Sequence, residues 1–285
     1  MSRWFTVTAL VFTAALAGAQ TLVVDASTDE GPLRYGATGF LYGLGDEGIP
    51  DRPILSALRP QVIAQKAPDG LQHPNGDALK TAPAFLAAGG RQVQIYLQDI
   101  YQQWPYEQPG MSDYVPKVEA MVRKVLKDPN RAAFAYIPLN EPDVIWYNGN
   151  EKAFLQDWKL LYRKIKALDP AAPICGPNTT SYDSQSMKRF LTWAVQNQCV
   201  PDVLTWHELQ NDFFTQWDRH LDSARSIQND LGIGPLPIVI NEYGRFSGDL
   251  GVPGHLLQYV ARFERDGVDG CLAYWTTAGS LNDLV

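Results

Sequence analysis

A chain of 285 residues with 45% hydrophobic and 19% charged side chains has the composition of an ordinary globular protein, and the length suits one α/β barrel or two smaller domains. Its 31 acidic residues against 24 basic ones leave a net charge of -7, and no run of Lys or Arg appears, so nucleic acid is not an expected partner. Eight Trp and 13 Tyr suit a sugar or peptide surface as well as a core.

Residues 1–19 read as an export signal. Arg3 opens a short basic region, residues 4–16 are apolar, and Ala17-Gly18-Ala19 supplies a small-residue site before Gln20. Cleavage is expected after Ala19, leaving a secreted or periplasmic chain. The apolar stretch is shorter than the roughly 20 residues that cross a bilayer, so no membrane span is expected after cleavage. Cys175, Cys199 and Cys271 are an odd set in an exported chain and allow at most one internal disulfide. None has metal-ligand spacing, and the apolar surroundings of Cys175 and Cys271 fit buried, inert thiols.

Residues 20–35 (QTLVVDASTDEGPLRY) hold a strand-like TLVVD. From residue 36 onward, short β-rich runs alternate with helix-period segments, the pattern of a parallel sheet with crossover helices. Strands are predicted at residues 38–44, 61–67, 92–98, 133–140, 173–178, 203–208, 237–242 and 270–276. Among the intervening segments the clearest helix carries Phe154, Leu155, Trp158, Leu161, Tyr162, Ile165 and Leu168 on one face. A second stripe joins Met187, Phe190, Leu191, Ala194 and Val195 behind an N-cap at Asp183 or Ser184, and a third joins Leu256, Leu257, Val260 and Phe263. Eight such strands predict an α/β fold, a (β/α)8 TIM barrel over residues 36–285, whose site lies at the C-terminal strand ends. The chain stops too soon after the eighth strand for a full last helix, so the natural protein is expected to continue beyond residue 285.

The strand ends offer Asp46, Lys66, Gln98, Asp99, Asn140, Glu141, Asn178, Trp206, His207, Glu208, Asn241, Glu242, Tyr243 and Trp275. Two of these apolar runs finish in Asn-Glu: AYIPLNEP with Glu141 on strand four, and PIVINEYG with Glu242 on strand seven. Carboxylates on strands four and seven face one mouth from opposite sides, as glycoside cleavage needs: one protonates the leaving oxygen, the other attacks or activates water. Mutual repulsion is expected to raise the pKa of the acid, while hydrogen-bond donors hold the nucleophile anionic.

With TWHE at strand six and AYW at strand eight, these motifs resemble the retaining glycoside hydrolases of clan A. The leading VDASTDEGPL and the NEPDVIWY turn look most like family 39, which includes β-xylosidases, α-L-iduronidases and exopolysaccharide hydrolases. The resemblance covers residues 21–285. It implies a secreted retaining hydrolase of O-glycosidic, mainly β, bonds, with Glu141 as acid/base, Glu242 as nucleophile and Asn140 on the sugar 2-hydroxyl. His207 matches a position near the nucleophile, and Trp275 a platform under the sugar. The clan's usual arginine near strand two has no match, since that strand ends in Lys66. Lys66, His73, Asp99 and Tyr243 complete the substrate-binding candidates, and no metal or organic cofactor is expected.

Other readings compete. His207 could be a barrel-rim histidine and Trp275 a core residue. Asp77 fits an N-cap of a helix starting at Ala78 better than a sugar ligand. Trp146 and Tyr147 suit a substrate wall or a loop anchor equally. A carbohydrate-binding barrel without turnover is the alternative function, and an inverting hydrolase differs only in carboxylate spacing. GLGDEG (residues 43–48) mimics a dinucleotide loop, but Asp46 and Glu47 would repel a pyrophosphate. HELQN (residues 207–211) places Asn211 where a second zinc ligand should stand, and no G-x-S-x-G elbow occurs.

Overall fold

The computed structural model describes residues 27, 31–45, 52–73, 75–245 and 252–273. The predicted signal peptide, the TLVVD strand, Asp46 and Trp275 lie outside them. The chain divides into two compact units, Met1–Leu33 and Arg34–Val285; all elements below belong to the second.

Eight parallel strands are present among the described residues: β1 (Gly39–Phe40), β2 (Val62–Lys66), β3 (Gln92–Tyr96), β4 (Phe134–Ile137), β5 (Cys175–Thr179), β6 (Val203–Glu208), β7 (Ile238–Tyr243) and β8 (Asp269–Leu272). They pair in the orders β1-β8-β7-β6-β5 and β2-β3-β4. Single bridges from Leu41 to Ala64 and from Tyr136 to Ile174 join the two sets, which completes the ring of a (β/α)8 barrel. The helices are α1 (Arg52–Leu58), α2 (Ala78–Ala87), α3 (Met111–Val125), α4 (Glu151–Leu168), α5 (Ser184–Asn197), α6 (Phe213–Leu231) and α7 (Pro253–Asp266). No helix among the described residues is long and apolar enough to cross a membrane.

Period-2 alternation divides the strand side chains. Leu41, Val62, Ala64, Ala135, Cys175, Val203, Val239 and Cys271 pack inside the ring. Ile63, Val93, Ile95, Phe134, Tyr136, Leu204 and Ile240 face the helices. All three thiols are free and buried. The first strand is shorter than predicted, because Tyr42 turns into the left-handed region at φ 56. It depends on Gly39, where a Cβ would lie 2.1 Å from the Val62 carbonyl oxygen; only glycine lets the two backbones come that close.

The α4 stripe is as predicted, with Phe154, Trp158, Leu161 and Ile165 buried. Asp183 caps α5 by accepting from the Ser186 N–H at 2.8 Å. On α7 the buried face runs through Tyr259 and Phe263, while Leu257 is exposed. At 100° per residue Leu257 lies well round the helix from that pair, so this predicted member falls outside the buried stripe, whereas Val260 and Phe263 pack against the core. Helices α3 and α6 were not singled out by pattern. In α3 Pro116 lies inside the continuous helix, although in sequence proline reads as a break.

Candidate active site

Strand β4 stops at Ile137, and the chain bends through Pro138 so that Asn140 and Glu141 stand just beyond it. Gln98 accepts from the Asn140 backbone N–H. Glu141 occupies φ 48, a left-handed conformation that costs a non-glycine residue about 1–3 kcal/mol. Its peptide is held from both sides: the N–H donates to the Asn178 carbonyl at 2.9 Å, and the carbonyl accepts from Val144 and Ile145 at 3.0 and 2.7 Å.

Glu242 reaches the same space from β7 because the register shifts there. Ile240 pairs with Gly270 and Tyr243 with Leu272, so Asn241 and Glu242 together oppose Cys271. This extra residue breaks the alternation. Asn241 and Glu242 both turn inward, whereas Tyr243 turns out against Tyr259 and Phe263 and donates its hydroxyl to the Ala37 carbonyl at 2.6 Å. Tyr243, a predicted substrate ligand, therefore sits among the helix-side residues and does not line the cleft.

The two carboxylates are almost wholly buried, and one oxygen of each lies within 4.8 Å of the other. His207 stands between them. Its Nδ1 is 3.2 Å from Glu141 Oε1 and its Nε2 is 3.5 Å from Glu242 Oε1. Tyr96 donates its hydroxyl to Glu242 Oε1 at 3.1 Å, and Trp104 donates Nε1–H to Glu141 Oε2 at 3.1 Å. Burial pushes Glu242 up to about 7; the His207 imidazole opposes this, the Glu141 charge adds to it, and the Tyr96 bond opposes it. Burial by itself would lower His207, but the charges of Glu242 and Glu141 leave it above its ordinary value. Glu141, His207 and Glu242 carry donor types that bind divalent metals. However, the imidazole turns one nitrogen to each carboxylate, so it separates the acids instead of converging with them on a common point.

The carboxylates open into a cavity of about 330 Å³ walled by Tyr42, Gln72, His73, Trp104, Tyr106, Asn140 and Leu209. Asp99, fully buried, lies behind this wall and accepts from the hydroxyls of Tyr42 and Tyr106, each at 2.7 Å. Burial raises Asp99 to about 7 against the pull of these two bonds. His73 packs on Tyr42 with ring centroids 4.1 Å apart. Burial and then the Lys66 charge lower His73 to about 4, so it is neutral at physiological pH. The Lys66 ammonium donates to the His73 carbonyl and is absent from the cavity wall. Asp77 caps α2, accepting from Leu79 N–H at 2.9 Å. Trp146 and Tyr147 anchor the loop after β4, donating to the Tyr106 carbonyl and to Asp157 at 3.2 and 3.0 Å.

The structure thus brings Asn140, Glu141, His207, Glu242 and His73 to one cleft, with Asp99 and Lys66 one layer behind. Sequence reasoning missed Tyr42, Tyr96, Trp104 and Tyr106, and gave Asn178 no role. Tyr96 was accessible by period 2 from Gln94 and Gln98. The loop YQQWPYEQP after β3 signalled Trp104 and Tyr106 by its aromatic density at a C-terminal strand end.

No family profile matches the chain. It is 33% identical to the 3-O-beta-L-arabinopyranosyl-alpha-L-arabinofuranosidase of Bifidobacterium pseudocatenulatum over 317 aligned residues, 93% of this chain and 32% of that protein. The solved structure of N2152 from Neocallimastix frontalis superposes with a TM-score of 0.80 at 33% identity, over 88% of this chain and 64% of that one. A GH39 beta-xylosidase from Caulobacter crescentus superposes with a TM-score of 0.59 at 14% identity, over 85% and 62%, a likeness of fold. The chain spans about a third of the length of the curated relatives it matches.

Proposed function

We propose that this chain, a glycoside hydrolase of clan A most like family 39, is the catalytic barrel of a secreted retaining glycosidase that breaks pentoside bonds by double displacement. The supporting observation is the buried pair Glu141 and Glu242, one oxygen of each lying within 4.8 Å of the other. Retaining enzymes hold their carboxyl groups about 5–5.5 Å apart, whereas inversion needs about 6.5–9.5 Å to seat a water. Glu242 attacks the anomeric carbon while Glu141 protonates the departing oxygen, giving a covalent glycosyl-enzyme. Glu141 then takes a proton from water, whose oxygen displaces Glu242 and releases the sugar with its original configuration.

The donor proposed is an α-L-arabinofuranosyl residue, the group the named Bifidobacterium relative acts on. An α-L-arabinofuranoside and a β-D-xyloside share a trans relation between the leaving group and the 2-hydroxyl. That common geometry reconciles the β-linkage implied by the family resemblance with the relative's α-L name. The aromatic wall of Tyr42, Trp104 and Tyr106 supplies the apolar faces on which sugar C–H groups pack.

The test is a set of aryl α-L-arabinofuranosides and β-D-xylosides, with and without a 3-O-linked sugar, given to the wild type and to Glu242→Ala, with product anomers followed by NMR. Turnover with retained configuration that vanishes in Glu242→Ala is the expected result. Inverted product overturns the double displacement. Binding of arabinofuranosides without turnover of any donor would favour the non-catalytic barrel instead.

A further inference from the structure

We infer that Asn178, at the end of β5, is the positioning residue of the cleft: its single amide fixes which end of Asn140 faces the sugar. The inference deepens the glycosidase reading and rests on it.

The side chain of Asn178 is fully buried and is engaged at both ends of its amide. Its Oδ1 accepts from Asn241 Nδ2 at 2.6 Å, its Nδ2 donates to Asn140 Oδ1 at 2.8 Å, and the same Nδ2 lies 3.3 Å from His207 Nε2. Its carbonyl also accepts the Glu141 N–H. Two backbone features aim it there: the register with β6 shifts between Pro177 and Thr179, and Asn178 takes φ 62, a region asparagine enters more readily than most residues.

The polarity of this chain of amides follows from its inner end. Asn241 Nδ2 also donates to Gln94 Oε1 at 3.2 Å, so both amide hydrogens of Asn241 are used as donors. Asn178 must therefore turn its oxygen to Asn241 and its NH₂ to Asn140 and His207. Reversing Asn178 would set oxygen against oxygen at Asn140 unless Asn140, Asn241 and Gln94 all reversed with it, and Gln94 is held the other way round by donating Nε2–H to Gln92 Oε1 at 3.2 Å. Asn140 accepts through Oδ1 and so presents its NH₂ to the cavity it lines. A sugar 2-hydroxyl reaching Asn140 accordingly meets a donor.

The experiment pairs ligands with and without that hydroxyl: aryl arabinofuranosides and their 2-deoxy analogues for turnover, and the corresponding pentonolactones for calorimetric binding. Wild type is expected to prefer the 2-hydroxyl ligand by about tenfold or more, the worth of one buried hydrogen bond. Asn178→Ala and the isosteric Asn178→Asp should bring the preference, taken as the ratio of the two ligands within each variant, to within about threefold, with Asn178→Asp the lower because it opposes Asn140 Oδ1 with a second acceptor. Asn140→Ala is the positive control. A folded Asn178 variant that keeps the wild-type preference overturns the inference alone. A wild type that neither binds nor cleaves any of these ligands overturns the glycosidase reading as well.

Discussion

The hydroxyl of Tyr96 donates to Oε1 of Glu242 across 3.1 Å, linking β3 to β7 on opposite sides of the barrel. The bond favours the ionised form of a carboxyl that burial has pushed up to about 7, and an attacking carboxylate must be ionised. Tyr96→Phe should lower kcat/KM by about tenfold and move the acid limb of its pH profile to higher pH. An acid limb that stays in place would separate Tyr96 from the titration of Glu242.

Glu141 and Glu242 should be distinguishable by leaving group and by rescue. Glu242→Ala should abolish turnover of every donor. Glu141→Ala should cost about 10²–10⁴ with poor leaving groups and much less with good ones. Added azide should give a glycosyl azide of retained configuration in Glu141→Ala and of inverted configuration in Glu242→Ala. The reverse pairing of products would exchange the two roles.

Trp104 combines a half-exposed ring in the cleft wall with an N–H on Glu141 Oε2. Trp104→Phe keeps a ring and loses the N–H, whereas Trp104→Ala loses both. The Ala variant should raise KM for oligosaccharides by about tenfold, more than Phe does, since stacking area adds to the single bond. Equal KM values for the two variants would leave the ring without a binding role.

Asp99 titrates near 7 in the folded protein because it is buried. Between the ordinary carboxylate range and that value the folded state holds a proton the unfolded chain has released, so stability falls as pH rises through this window. Glu242, also at about 7, acts in the same direction. Asp99→Asn removes one of these contributions. Its Tm relative to wild type should therefore be higher at pH 8 than at pH 5, by about 2–4 °C for each kcal/mol of relief. Thermal scans at the two pH values check the sign.

Tyr243 donates to the Ala37 carbonyl outside the cleft. Tyr243→Phe should destabilise the fold by about 1 kcal/mol in urea unfolding and leave KM unchanged. A raised KM would return Tyr243 to the substrate-binding set.

The strands, the α4 and α5 faces and the two Asn-Glu ends were legible in the sequence, because each is written in a local period that the backbone imposes on its own neighbours: two for strands, 3.6 for helices. The barrel class followed from the order of those elements. What only the tertiary structure decided is where the side chains converge. The bulges at Asn178 and at Asn241–Glu242 arise from pairing with neighbouring strands, so Tyr243, chosen for its place at a strand end, turns away from the cleft. His207 contacts both acids only because a closed ring brings β4, β6 and β7 around one space. Trp104 and Tyr106 reach it from a loop with no period at all, held by hydrogen bonds to Glu141 and Asp99. Local chemistry chose the elements, and ring closure chose which of their residues meet.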